Sequence, residues 1–222
     1  MFLEIFSVLK YTFKNFYENL YKLVLLGLFW FIVTFILLLT ALLAFSTGWF
    51  VILLIPLLFL GPVFLTVLYA VNQLLEYEDL SAKIFYKYFK NNFWKSFFVC
   101  AVSILIYTVL IIDLRFFFLR GQENIWQLAF AFLFAYLLIY FSIYQAYLWP
   151  LIIIQDDKNL KDIFKNALVI SLDNIIFSLF WFLFILLITI FLAVTGLGIP
   201  AAFIGIIGTL LLKGSRKMLN KY

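Results

Sequence analysis

The chain has 222 residues, of which 67% are hydrophobic and only 12% are charged, whereas roughly a quarter of the residues in a soluble domain are charged. A protein of about 200 residues cannot hide so much apolar surface from water, so lipid is the expected surrounding. The net charge of +5 comes without a continuous basic face, which excludes nucleic acid as an expected partner.

The basic residues are grouped along the chain. Fourteen of the sixteen lie in four clusters, and between consecutive clusters the chain has room to cross a bilayer twice. Because short loops rich in Lys and Arg stay cytoplasmic, this pattern predicts six spans of a cell (inner) membrane with both termini in the cytoplasm. The clusters are Lys10, Lys14 and Lys22; Lys83, Lys87, Lys90 and Lys95; Lys158, Lys161 and Lys165; and Lys213, Arg216, Lys217 and Lys221.

Taken in chain order, the sequence predicts an all-α, polytopic membrane protein with amphipathic cytoplasmic helices. The first twenty residues are amphipathic, and the first apolar run is longer than the 7–15 residues of a signal-peptide core, so no cleavable signal peptide is expected. Since roughly 20 apolar residues cross the hydrocarbon, one membrane domain over residues 1–222 should contain six spans, at about 23–45, 49–75, 97–119, 125–154, 174–194 and 198–212.

The second span contains Pro56, Gly61 and Pro62. A proline inside a helix removes one backbone hydrogen bond and clashes with the preceding turn. We therefore predict a helix break here, either as a kink or as a short broken segment, with a re-entrant path for residues 49–62 as an alternative.

The segment between the second and third spans, residues 76–96, carries Lys83, Lys87, Lys90 and Lys95 at roughly helical spacing, with large aromatic side chains on another arc. Such a helix suits the headgroup boundary of a membrane. It could dock on anionic lipid or on the cytoplasmic face of a partner protein, or it could be a linker that lies on the membrane for topology alone.

Tyrosines recur along the fourth span. Tyr136, Tyr140, Tyr144 and Tyr147 follow one helix face at spacings of four, four and three. One interpretation is a hydroxyl-lined face that borders a polar cavity and binds a sugar or a lipid headgroup. The other is packing within the bundle, with each hydroxyl bonded to a neighbouring helix.

Other polar residues within the spans are few. Asn72 and Gln73 lie near the inner end of the second span, and Gln145 lies in the fourth span. Each of the three could face a ligand, whereas Asn72 and Gln73 could instead cap the helix end beside Glu76. We find no catalytic triad, metal-ligand spacing, P-loop or dinucleotide pattern. The sequence therefore predicts a protein that is not an enzyme, with no catalytic residue, metal or cofactor.

The tripeptide Phe-Lys-Asn occurs three times, beginning at Phe13, Phe89 and Phe164, which are 76 and 75 residues apart. Each copy precedes an odd-numbered span, and each even-numbered span contains a proline. This spacing indicates a threefold repeat of a two-span unit in one orientation, as parallel repeats of other membrane proteins show. Chance recurrence in a chain rich in Phe, Lys and Asn is the alternative.

Residues 56–69, with a proline, a short apolar step and a Gly-Pro before a helix, resemble the YesL family of bacterial integral membrane proteins. Further likeness lies in a charged turn, a Phe-rich helix that contains Asn, and two later segments. These are residues 76–79; Phe85, Phe89, Asn92 and Phe93; Trp149, Pro150 and Leu151; and residues 160–168 with Lys165, Asn166 and Ala167.

The resemblance covers roughly residues 56–170. Phe59 stands where that family commonly has Thr, and Gly27 where an Asn would be expected, so a site that used those polar groups would differ here. The resemblance implies a multi-pass membrane protein of unknown biochemical activity, whose relatives are often encoded beside carbohydrate uptake systems.

Three functions are compatible with these features. The first is a non-enzymatic accessory or assembly partner. The resemblance alone links it to carbohydrate uptake, with a sugar transporter complex as the expected partner. The second is a small transporter or channel for a small polar solute, which would use the break in span two and the tyrosine face. The third is a lipid-binding membrane protein. In each case a bilayer with anionic headgroups is the expected surrounding.

Overall fold

A computed structural model describes residues 2–48, 50–76, 81–121 and 124–221. These residues form eight helices and no strand: α1 Phe2–Glu18, α2 Leu20–Ser46, α3 Phe50–Glu76, α4 Ala82–Arg120, α5 Ile125–Ile154, α6 Leu160–Asp173, α7 Ile175–Val194 and α8 Gly198–Leu219. Outside the described residues lie the predicted start of span two at Trp49, residues 77–79 of the charged turn, and Gln122 and Glu123 between the predicted third and fourth spans.

Six of these helices, α2, α3, α4, α5, α7 and α8, are long and apolar enough to cross a membrane. The prediction of an all-helical chain with six such segments is therefore confirmed for the described residues. Two boundaries differ from the prediction. The expected interfacial segment and the third span form the single 39-residue helix α4, and α8 continues to Leu219 rather than ending at 212. At 1.5 Å per residue, α4 is about 58 Å long, far more than the ~30 Å hydrocarbon.

The short broken segment and the re-entrant path predicted for span two are not seen in the described residues, and a kink at the prolines stays a prediction. Helix α3 runs continuously from Phe50 to Glu76 with Pro56 and Pro62 inside it. A membrane helix tolerates such prolines when neighbouring groups compensate for the lost backbone bonds. The turns after α2 and α7 instead depend on Gly48 and Gly196, whose φ angles are +78° and +69°. Side chains other than glycine rarely adopt this conformation.

The six long helices form an inner and an outer set. Helices α3, α5 and α8 contact one another at the centre, and Leu68, Leu151 and Leu210 are completely buried among them. Each outer helix packs against two inner ones: α2 against α3 and α8, α4 against α5 and α3, and α7 against α8 and α5. The outer helices expose large apolar side chains, as helices that face lipid do.

Two shorter helices lie beside the long ones. In α1, buried Ile5, Val8 and Thr12 recur every three or four residues while Lys10 and Lys14 are exposed, and this face packs on α8, α2 and α7. Helix α6 packs in the same way on α5 and α7. Both helices therefore depend on tertiary contacts along one stripe, as amphipathic helices do.

Candidate functional site

The helix segments that carry the four basic clusters come together at one end of the bundle. The Lys217 ammonium of α8 donates hydrogen bonds to the Ser7 hydroxyl (2.6 Å) and to the Glu4 carbonyl oxygen (3.1 Å) of α1. Lys95 of α4 pairs with Asp156, just after α5, at 3.6 Å. We call this end, formed by α1, the last turns of α3, residues 82–96, residues 155–173 and residues 213–221, the basic end.

A polar network joins α3 to α8 at the basic end. The buried Asn72, only 5% exposed, accepts a hydrogen bond from the Arg216 guanidinium at 2.7 Å and donates one to the Glu76 carboxylate at 3.5 Å. Arg216 also forms an ion pair with Glu76. Asn72 was predicted to face a ligand or to cap the helix, and the structure places it as the buried member of this interhelical network.

We expect Arg216→Gln to lower the free energy of unfolding by about 1–2 kcal/mol, because Asn72 would lose a charged donor and Glu76 its partner. The ion pair is partly exposed, which reduces the effect below that of a fully buried pair. Unfolding by titration with sodium dodecyl sulfate in detergent would measure this loss in the free energy of unfolding. Arg120→Gln is the control, because Arg120 is exposed at the far end of α4; equal losses would contradict the role of the network.

The basic end contains a polar cavity of about 400 Å³ between α3, the first turns of α4 and Asp156, the second residue after α5. We refer to it as the polar cavity. Its lining is mainly polar, in contrast to the apolar grooves elsewhere on the bundle. The residues that line it are Tyr69, Ile84, Lys87, Tyr88, Asn91, Asn92, Lys95 and Asp156.

Two stacked tyrosines form the wall of the polar cavity where α4 crosses α3. The rings of Tyr69 and Tyr88 are nearly parallel, at 8°, with centroids 3.6 Å apart. Gln73, which was predicted to face a ligand, donates a hydrogen bond to the Tyr69 hydroxyl at 2.7 Å. Gln73 itself does not line the polar cavity. The Tyr88 side chain is only 6% exposed, and its hydroxyl is buried without a hydrogen-bond partner.

The four lysines of the predicted interfacial segment, all on α4, occupy different positions. Lys87 and Lys95 line the polar cavity, and Asn91 lies between them on the same helix face. Lys83 and Lys90 are exposed on the surface and do not line this cavity. Helical spacing placed these four lysines in one group, whereas the tertiary structure separates the two that line the polar cavity from the two that do not.

The tyrosine face of α5 packs mainly against neighbouring helices. Tyr140 shares a hydrogen bond with the Ser171 hydroxyl of α6 at 3.0 Å, and the buried Tyr144 donates to the Phe164 carbonyl oxygen at 3.4 Å. Tyr136 is 57% exposed on the outside of the bundle. None of these three residues lines the polar cavity. This arrangement corresponds to the packing interpretation of the tyrosine spacing.

Gln145 links the two helices of the α4–α5 hairpin. Its amide nitrogen donates to the Ser103 hydroxyl at 2.7 Å, and Ser103 in turn donates to the Val99 carbonyl oxygen of its own helix. The Gln145 carbonyl oxygen is buried without a hydrogen-bond partner. Hydrogen bonds of this kind between helices are common inside membranes.

Gly61, predicted as part of the helix break, is a close contact between α3 and α4. A Cβ atom at this position would lie 2.5 Å from the Cys100 Cβ and 2.7 Å from the Ser96 carbonyl oxygen. Only a residue without a side chain allows this approach, as at other small-residue crossings in membranes. Its function in the fold is therefore packing at the crossing above the polar cavity.

Sequence reasoning did not identify Tyr69, Tyr88, Asn91, Asn92 and Asp156 as one site. Tyr88 is one of the large aromatic side chains of the segment at 76–96, and Asp156 lies beyond the fourth span. The 60 residues of chain between Lys95 and Asp156 give no signal that the two side chains meet. Within the described residues, no three Cys, Asp or Glu side chains come together in a way that could hold a metal ion.

Comparisons of this chain with protein-family models, with curated proteins and with solved structures find no match. The resemblance to the YesL family therefore stays a prediction, carried by the residues named above.

Proposed function

We propose that this chain is a multi-pass protein of a bacterial inner membrane whose basic end faces the cytoplasm. The observation that carries the proposal is the convergence of all four basic clusters at one end of a bundle of six long apolar helices. Positively charged loops remain on the cytoplasmic side, so this end is expected inside, together with both termini. Anionic headgroups would add attraction of about 1 kcal/mol per Lys or Arg near the surface.

Labelling of single cysteines tests this orientation. In a Cys100→Ser background, we expect Leu197→Cys, in the exposed turn before α8, to react with a membrane-impermeant maleimide in intact spheroplasts. Lys161→Cys, at the basic end, should react only after the membrane is permeabilised. The two variants control for each other, and the reverse pattern would overturn the orientation.

We further propose that the protein is a non-enzymatic accessory or assembly partner of another membrane system. Lys83, Lys90 and Lys161 are exposed at the basic end, where they could contact the cytoplasmic face of a partner protein. The link to carbohydrate uptake rests only on the resemblance to the YesL family, and the sugar transporter complex is its proposed partner. The transporter alternative has no comparable support, since Tyr140 and Tyr144 bond to α6 and Tyr136 is exposed on the outside of the bundle.

Growth of a deletion strain on single polysaccharides tests the accessory function. We expect slower growth on at least one polysaccharide, restored by the wild-type chain. Lys83→Glu with Lys90→Glu should restore it poorly, whereas Lys83→Arg with Lys90→Arg should restore it fully. Unchanged growth on every polysaccharide, with no transporter subunit copurifying in mild detergent, would contradict the proposal.

The finer description of the fold is also a proposal, namely a threefold repeat of a two-span unit preceded by an amphipathic segment. The contacts of each outer helix with two inner helices recur in the same order around the bundle, which supports it. At the spacings of 76 and 75 residues, Gly27, Ser103 and Ser178 are three buried small residues on α2, α4 and α7. Parallel repeats of this kind occur in other membrane proteins.

A further inference from the structure

The polar cavity is rich in hydrogen-bond donors. Lys87 and Lys95 supply ammonium groups, and Tyr69 and Tyr88 supply phenol hydroxyls. The Tyr69 oxygen already accepts a bond from Gln73, so its own proton remains to be donated. Such a set favours a ligand whose polar atoms are mainly acceptors.

The charges of the lining favour an anion. Two lysines and one carboxylate line the polar cavity, which leaves one net positive charge among these residues. Asp156 pairs with Lys95 at 3.6 Å, while Lys87 lies two helical turns away, about 12 Å along α4. Asn91 lies between the two ammonium groups and can offer an amide to the same ligand. This spacing suits a group with several acceptor oxygens better than a single halide ion.

The buried hydroxyl of Tyr88 is a second, independent indication of a ligand. Its side chain is 94% buried in the wall of the polar cavity, and its oxygen has no hydrogen-bond partner in the protein. Leaving a buried polar group unpaired is unfavourable, and most such groups in native proteins find a partner. The rings of Tyr88 and Tyr69 are stacked, which holds this hydroxyl in place.

We propose that the polar cavity binds a phosphate group, carried either by the headgroup of an anionic lipid or by a soluble phosphorylated solute. Phosphate oxygens accept several hydrogen bonds at once, and lysine binds phosphate as a point charge. The cavity, at about 400 Å³, has room for a phosphate ester with a small polar group attached. This site extends beyond the proposed accessory function, since ligand binding can be measured on the purified chain without a partner.

Binding can be measured on the full chain in an uncharged detergent by isothermal titration at constant ionic strength. The probes are inorganic phosphate, glycerol 3-phosphate and short-chain phosphatidylglycerol, with glycerol and a neutral diacylglycerol as uncharged controls. We expect at least one phosphate probe to bind and neither control to bind. Binding of phosphatidylglycerol alone would identify the lipid headgroup, whereas comparable binding of glycerol 3-phosphate would identify a soluble solute. Failure of all three phosphate probes would overturn the proposal.

Two lysine pairs on the same helix provide a matched comparison. Lys87→Gln with Lys95→Gln should weaken phosphate binding about tenfold or more. Lys83→Gln with Lys90→Gln removes the same charge from the same helix outside the polar cavity, and should change the affinity less than twofold. Equal losses in the two double variants would show attraction to the basic end as a whole and would overturn the assigned site.

Two single variants separate ligand binding from structure. Tyr88→Phe should weaken phosphate binding about tenfold, while the melting temperature without ligand stays unchanged or rises, because the removed hydroxyl has no partner in the protein. Asp156→Asn should tighten binding several-fold, because it removes the negative charge beside Lys95. Affinity unchanged by Tyr88→Phe, or weakened by Asp156→Asn, would contradict the proposed site.

Discussion

Replacing Trp181 with alanine is expected to lower the free energy of unfolding by about 3–5 kcal/mol, the largest effect of any single substitution considered. Trp181 lies on α7 and is only 1% exposed. Its ring contacts Tyr147 of α5, with centroids 4.9 Å apart. It also lies so close to Gly214 of α8 that an added Cβ there would be 2.6 Å from the ring. One side chain therefore joins an outer helix to two inner helices.

Removal of this ring would leave a cavity that the surrounding backbone cannot close, because Gly214 has no side chain to move into it. Unfolding by sodium dodecyl sulfate, followed by circular dichroism, would measure the loss. Trp126→Ala is the matched control, since Trp126 is 75% exposed at the start of α5, and it should cost less than about 0.5 kcal/mol. Similar losses for the two variants would contradict the packing described for α7.

Replacing Gly61 with leucine is expected to lower the free energy of unfolding by about 3 kcal/mol. The new side chain would meet the Ser96 carbonyl oxygen and the Cys100 Cβ of α4, both closer than 3 Å to the position of its Cβ. A backbone carbonyl cannot turn away as the end of a flexible side chain can, so α3 and α4 must separate. The Tyr69–Tyr88 stack joins the same two helices, and its geometry should be lost as well.

Thermal melting in detergent and phosphate titration together would measure the effect of Gly61→Leu. We expect a lower melting temperature and loss of phosphate binding in the same variant. The control is Ala129→Leu, which adds a comparable volume at an exposed position of α5 and should leave both measurements unchanged. Normal stability of Gly61→Leu would contradict the close approach of α3 and α4.

Much of the topology could be predicted, because the hydrophobic effect favours the transfer of any long apolar segment into lipid. A run of about 20 apolar residues has few alternatives to a membrane span, whatever its neighbours are. Residues 125–154 were predicted as one span, and α5 has the same limits. The prolines of α3 do not divide it into segments, because neighbouring helices can stabilise a continuous helix in lipid, which a local rule about helix breaking does not take into account.

The candidate site could be predicted only in part. Spacing placed Lys87 and Lys95 on one helix, together with Lys83 and Lys90, but could not say which pair faces a cavity. The same spacing placed four tyrosines on one face of α5, where two alternatives were open. The hydroxyls of Tyr140 and Tyr144 bond to α6, and only the position of that helix distinguishes a binding face from a packing face.

The order of residues alone was enough to determine the class of this protein, its number of long apolar helices and the grouping of its basic residues. The class and the number of helices depend on the transfer of whole segments between water and lipid, and such transfer depends on composition rather than on neighbouring helices. The polar cavity depends instead on a few contacts between distant segments, such as Tyr69 with Tyr88 and Lys95 with Asp156. Each such contact needs a specific crossing of helices, set at Gly61 by a missing side chain. Only the tertiary structure could show that the polar cavity exists, since side-chain packing is specific to the whole fold rather than to a segment.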